Sequence, residues 1–153
     1  MGTEIERRFL VKGEAWKAEA RVRRIRQGYL GTENGVSVRV RLIDGKGLLT
    51  IKGERDGLVR EEFEYPVPAA DAEAMLELCG TLVIDKTRHE LVHGGLLWQI
   101  DVFGGRLAGL VLAEVELERE DQPVALPDWA GREVSLDRRY RNSSLVRFGL
   151  PEA

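Results

Sequence analysis

Three pairs of carboxylates in this chain share one spacing. Glu4 and Glu6, Glu62 and Glu64, and Glu114 and Glu116 are each two residues apart. Two like charges a few Å apart in a partly desolvated site repel by roughly 4 kcal/mol. A hard divalent cation removes that repulsion, and carboxylate oxygens are the ligands magnesium and manganese prefer. Cations recur at the same spacing, as Arg39 and Arg41 and as Lys86 and Arg88, with Lys52 two residues after Thr50. Guanidinium and ammonium groups grip phosphate oxygens. The chemistry these residue types could do together is the binding of an anion with its metal. The competing reading of each row alone is a solvated strand edge guarded by charge.

A spacing of two is the period of a β-strand, whose successive side chains point to opposite faces. Ile5 and Phe9 oppose Glu4, Glu6 and Arg8, and Val38, Val40 and Leu42 oppose Arg39 and Arg41. Leu49 and Ile51 oppose Thr50 and Lys52. Val59, Phe63 and Tyr65 oppose Arg60, Glu62 and Glu64. Lys86, Arg88 and Glu90 share a face. So do Glu114, Glu116 and Glu118, set against Val115 and Leu117 in a strand expected to run to Gln122-Pro123. Gly- and Asp-rich breaks at 31–35, 44–47, 56–57, 93–95 and 104–105 read as hairpin turns. Strands joined by short turns favour a barrel, which has no free edges. The expected fold is α+β and mainly β: a closed antiparallel barrel of about eight strands forming a polar tunnel, with supporting helices, as one domain over residues 1–153.

The order of these rows resembles the CYTH domain of the triphosphate tunnel metalloenzyme superfamily. The family's opening ExExK strand is matched, except at its lysine, by Glu4-Ile5-Glu6-Arg7-Arg8. Gln27-Gly28-Tyr29-Leu30, Arg39-Val40-Arg41, Thr50-Ile51-Lys52, Glu62-Phe63-Glu64, Lys86-Thr87-Arg88 and Glu114-Val115-Glu116 follow in the family's order. The segment Asp137-Arg138-Arg139-Tyr140-Arg141-Asn142-Ser143-Ser144-Leu145 resembles its end. The resemblance implies metal-dependent hydrolysis of the terminal phosphoanhydride of inorganic tripolyphosphate or a small organic triphosphate. It implies phosphate binding by Arg8, Arg39, Arg41, Lys52, Lys86 and Arg88. Mg²⁺ or Mn²⁺ would be held by Glu4, Glu6, Glu114 and Glu116, with Glu62 and Glu64 as second choice. In small relatives the family lysine pairs with the tyrosine of Gln-Gly-Tyr-Leu to take a proton from water, so Tyr29, Arg8 and Glu116 are the expected catalytic groups. Arg8 departs from that pattern, because a guanidinium keeps the charge but cannot accept a proton. Two alternatives follow from the same resemblance: a class IV-type adenylate cyclase, and a module that binds polyphosphate or a nucleotide without turnover. Tyr29 equally suits packing on a barrel rim.

A triphosphate carries about four to five negative charges near neutral pH, since a terminal phosphate's second pKa lies near 6. The five cations of the rows answer that charge. The net charge of −3 over 153 residues argues against a general nucleic-acid binder. No apolar run approaches the roughly 20 residues needed to span a membrane, and a cytoplasmic protein is expected, possibly a homodimer. Arg21, Arg23, Arg24 and Arg26 read as a solvated face or tunnel mouth. Cys79 reads as a buried apolar side chain, and His89 and His93 lack metal-ligand spacing. Asp101 points either inward or to a turn. A helix is expected over Pro68–Gly80 with an apolar stripe of Met75, Leu76 and Cys79, and a short one over Gly13–Glu19 with Trp16 inward. Pro127-Asp128-Trp129 should begin an irregular or helical link, and Asn142 should cap a last helix.

Overall fold

The computed structural model describes residues 2–152. Its strands are β1 (Gly2–Val11), β2 (Arg21–Glu33), β3 (Val36–Ile43), β4 (Lys46–Lys52), β5 (Val59–Val67), β6 (Val83–His93), β7 (Leu96–Phe103), β8 (Val111–Glu116) and β9 (Ala130–Glu133). Two α-helices, α1 (Ala69–Leu78) and α2 (Asn142–Phe148), complete the fold with short 3-10 turns. The order around the sheet is β5-β4-β3-β2-β6-β7-β8-β1-β9, and pairing of β5 with β1 closes the first eight strands into an antiparallel barrel. Three hairpins turn on two residues, Asn34-Gly35, Asp44-Gly45 and Gly94-Gly95, all at positive φ. That is the backbone whose twist matches paired strands.

β1 organises the closure. Its first residues pair with β5, from Gly2↔Glu62 to Ile5↔Val59, and its other edge pairs with β8, from Glu6↔Glu116 to Leu10↔Leu112. Where β5 leaves, β9 takes over through Phe9↔Glu133 and Val11↔Ala130. β9 corrects the expected irregular or helical link after Trp129: the free edge at the end of β1 needs a partner for its backbone groups. The acidic strand is also shorter than its alternation suggests. The Leu117 N–H still bonds Ile5, but that of Glu118 goes to the Gln122 side chain, 2.7 Å away. The chain turns there, leaving Glu118 and Glu120 exposed off the strand.

Apolar packing lies outside the barrel and at one end, leaving the interior polar. Phe9, Trp98, Ile100, Ala113 and Val115 pack with Trp16 on the outer face of β1, β7 and β8. Trp16 sits in a 3-10 turn (Ala15–Glu19), edge-on to His89. α1 covers β3 and β4 through Ala72, Leu76 and Cys79, with Met75 at the margin. A Cβ at Gly28 would stand 2.6 Å from Cys79 Sγ, so only glycine lets α1 approach β2. At one end, Leu145 and Val146 of α2 join Tyr29, Ile84, Phe103, Leu112 and Tyr140 in an apolar stopper. The tunnel is therefore closed on that side.

Candidate active site

Alternation in eight strands sends the charged rows inward, and they line one cavity of about 290 Å³. Glu4, Glu6, Arg8, Tyr29, Arg39, Arg41, Lys52, Glu62, Glu64, Lys86, Arg88, Glu114 and Glu116 all face it. The structure thus brings together every residue that the sequence pointed to.

One wall is basic. β3 supplies Arg39 and Arg41 and β6 supplies Lys86 and Arg88, each less than a tenth exposed. Cations this deep need partners. Asp101, fully buried on β7, answers both members of β6: its carboxylate accepts from Arg88 Nε at 2.8 Å and Nη2 at 2.9 Å, and lies 2.7 Å from Lys86 Nζ. Burial pushes Asp101 up, but Arg88 and Lys86 outweigh it and hold the carboxyl at about 2. Asp101 therefore points inward. Arg41 donates twice to Gln27 Oε1, at 2.9 and 2.7 Å, and Arg39 donates to Thr50 Oγ1 at 3.3 Å. Among the described residues neither arginine has a carboxylate within 3.5 Å; Glu64 is 3.8 Å from Arg39. Burial, then repulsion from Arg39 and Arg88, brings Arg41 down to about 9. Burial outweighs Asp101 at Lys86, and its ammonium falls to about 7. An incoming polyanion would relieve both.

The facing wall, from β1, β5 and β8, is acidic. Arg8 Nη2 lies 2.8 Å from Glu6 Oε1 and 2.9 Å from Glu114 Oε2. Lys52 Nζ lies 2.9 Å from Glu4 and 3.4 Å from Glu62. Burial, then the charges of Glu114 and Glu4, pushes Glu6 up to about 8. Burial also lifts Glu114, but Arg8 and Arg88 win and hold it well below the carboxylate range. The pair thus keeps one proton near neutral pH. Glu116, opposite Glu6 in register, is exposed at the mouth, and Glu64 is exposed beside Thr50.

At the closed end two expectations are corrected. Asn142 does not cap α2, whose N-cap is Arg141 with no side-chain bond. Its Oδ1 instead accepts from Lys86 Nζ at 2.8 Å and Gln27 Nε2 at 3.1 Å, because these multiply donating buried groups need more than the one acceptor each that Asp101 and Tyr29 provide. The expected pairing of Arg8 with Tyr29 is not made either. The Tyr29 hydroxyl accepts from Gln27 Nε2 at 3.3 Å and its ring belongs to the apolar stopper. Arg8 gives Nη1 to the Tyr140 carbonyl and Nη2 to Glu6 and Glu114. Sequence reading also missed Gln27, Arg55, Arg60 and Arg141 as site groups. Arg60 shares the inward row of Glu62 and Glu64 and was legible by period. Arg55 and Arg141 lie in segments with no periodicity to read.

The donor set fits a hard divalent cation. The Oε1 atom of buried Glu4 has no hydrogen-bond partner among the described residues. Among the described residues no three acidic or imidazole side chains enclose a metal by themselves. Magnesium does not ask for that, since it keeps several waters and takes one or two carboxylates plus substrate phosphates.

The comparisons with known proteins agree with this geometry. The family profile of the CYTH domain matches residues 2–147. An inorganic triphosphatase of Acetivibrio thermocellus is 46% identical over 148 residues, spanning 96% of this chain and 95% of that one. An inorganic triphosphatase of Nitrosomonas europaea is 37% identical, spanning 94% and 97%. A crystal structure of an inorganic triphosphatase, 35% identical, superposes with a TM-score of 0.71 over 95% of each chain. With its eight-stranded charged tunnel and this match over nearly its whole length, the chain belongs to the CYTH domain family.

Proposed function

We propose that this protein is a metal-dependent triphosphatase that hydrolyses the terminal phosphoanhydride of inorganic tripolyphosphate. The observation that carries the reading is the division of one closed-ended cavity into a basic wall and an acidic wall. The 46% identity to an inorganic triphosphatase over 96% of the chain supports the same substrate. Arg39, Arg41, Lys86 and Arg88 would bind phosphate oxygens and stabilise the charge spread over the transferring phosphoryl group. Lys52, between the walls, would reach the outer phosphate. Mg²⁺ or Mn²⁺, when bound, supplies charge neutralisation and orients the phosphate chain. Glu4 and Glu116 would hold it, with Glu114 and Glu6 deeper and Glu62 and Glu64 at the rim. Tyr29, at the closed end beside Gln27, would orient the attacking water. The apolar stopper of Leu145, Val146 and Tyr140 keeps other water out of that end.

Product analysis tests the reading. Tripolyphosphate and ATP are supplied in parallel with Mg²⁺, Mn²⁺ or chelator, and phosphate, pyrophosphate and cyclic AMP are resolved. Metal-dependent phosphate and pyrophosphate from tripolyphosphate, faster than from ATP, is the expected result. Cyclic AMP from ATP, or binding without turnover, would overturn it.

A further inference from the structure

The carboxylates of the acidic wall fall into two sets by what they touch. Glu6 and Glu114 form a deep pair, with side chains no more than 12% exposed. A single nitrogen, Arg8 Nη2, stands between them at 2.8 and 2.9 Å. Two further guanidiniums back it, Arg55 at 3.5 Å from Glu6 and Arg88 at 3.6 Å from Glu114. Glu4 and Glu116 form the outer set. Glu4 gives Oε2 to Lys52 but keeps Oε1 buried and without a hydrogen-bond partner among the described residues. Glu116 is exposed and takes no ion pair among the described residues. Because Glu6 is opposite Glu116, Glu4 is its diagonal neighbour, within reach of a long side chain.

We propose that the Arg8 guanidinium is a resident cation of the Glu6–Glu114 pair, standing where a divalent ion would otherwise bind, so that a metal enters the substrate-free tunnel only on the mouth side, through Glu4 and Glu116. The proposal rests on the metal-dependent reading above. Its grounds are steric and electrostatic. A magnesium ion takes its oxygens at about 2.0–2.1 Å. An ion at that distance from both Glu6 Oε1 and Glu114 Oε2, on the side where the guanidinium stands, would overlap the nitrogen already bonded to the same two atoms. The guanidinium is also anchored from behind. Its Nη1 donates to the Tyr140 carbonyl at 3.2 Å, and the Arg8 backbone N–H donates to Ser135 Oγ at 2.9 Å. A lysine at this position, as in the family pattern, would bring a compact charge on a flexible stem instead of a planar fork. The Arg8 side chain is thereby taken from the expected pairing with Tyr29 and given to the metal wall.

Titration of the folded chain with Mn²⁺, without phosphate and with free Mn²⁺ counted by electron paramagnetic resonance, tests this directly. The parent should bind one Mn²⁺ per chain, and Glu116→Gln should weaken that site at least tenfold. Arg8→Gln should add a second Mn²⁺ or tighten binding at least tenfold, and Glu6→Gln placed on top of it should cancel the gain. Two tight Mn²⁺ in the parent, none in any variant, or an Arg8→Gln chain that binds like the parent would each overturn the proposal. If Arg8→Gln does not fold by circular dichroism, the parent's stoichiometry and the same gain in Arg8→Lys decide it. Turnover of tripolyphosphate is measured separately, so a chain without activity can still show the predicted Mn²⁺ counts, and an active chain can still contradict them.

Discussion

The two walls of the tunnel are built alike and finished oppositely. Each takes side chains from alternate positions of neighbouring strands, and each buries charges of mostly one sign. The basic wall contains one carboxylate, Asp101, which serves both Lys86 and Arg88. In the acidic wall one cation, Arg8, serves both Glu6 and Glu114 at 2.8 and 2.9 Å, with Arg55 and Lys52 further along it. Each wall is therefore under-neutralised, and by a different kind of charge. Arg39 and Arg41 wait for an anion, and Glu116 and the second carboxylate oxygen of Glu4, whose first oxygen pairs with Lys52, wait for a cation. A substrate that arrives as a metal–polyphosphate complex satisfies both at once. The comparison teaches that one shared counter-charge organises each wall, while the groups least engaged by such partners are left for ligand.

The comparison can be broken most directly by removing a waiting cation. Arg39→Ala takes away a guanidinium that only Thr50 and the distant Glu64 engage, so folding should change little. The second-order rate constant for tripolyphosphate should fall roughly 100- to 1,000-fold, the effect of losing one preorganised charge stabiliser. A fall below about tenfold would remove Arg39 from the phosphate site. Removing an organising charge should act on stability instead. Asp101→Asn strips both β6 cations of the one carboxylate they share, leaving Arg88 only Glu114 at 3.6 Å, and breaking a buried pair from one side costs about 3 kcal/mol or more. Urea unfolding measures the loss, and tripolyphosphate should restore part of it by supplying the missing negative charge. Equal loss with and without the anion would mean that Asp101 serves only packing.

A smaller effect lies in the pH dependence of the metal-free chain. Unfolded Glu6 loses its proton near pH 4.5, whereas folded Glu6 keeps it to about 8. Between those values the folded state binds more protons, so this group's contribution to stability falls as pH rises. Stability of the parent minus that of Glu6→Gln should therefore decline from about pH 5 to pH 8. A flat difference would show that Glu6 is ionised throughout. The smallest effect belongs to Arg7, next in sequence to Arg8 but on the outer face, where it pairs with Glu133 at 2.7 Å. Arg7→Gln should cost under about 1 kcal/mol in urea unfolding and leave turnover unchanged. Neighbours in sequence would then differ in consequence because they lie on opposite faces of β1.

What the sequence determined by itself is the content of the walls. A period of two assigns each residue to a face, so Glu4-Glu6-Arg8, Arg39-Arg41, Lys86-Arg88 and Glu114-Glu116 could be read as inward rows without coordinates. The paired Asn-Gly, Asp-Gly and Gly-Gly turns fixed the hairpins that align them. Local chemistry carries that information, because both alternation and turn type are properties of adjacent residues. Tertiary structure alone decided which opposite charges meet. Arg8 reaches Glu114, 106 positions away, only because β1 lies beside β8. Asn142 became an acceptor for Lys86 and Gln27, and not a helix cap, because closing the barrel left two buried donors facing it. β9 exists because β5 departs halfway along β1 and leaves an edge open. No local pattern encodes these outcomes: each follows from distant segments competing to satisfy buried charge and backbone hydrogen bonds.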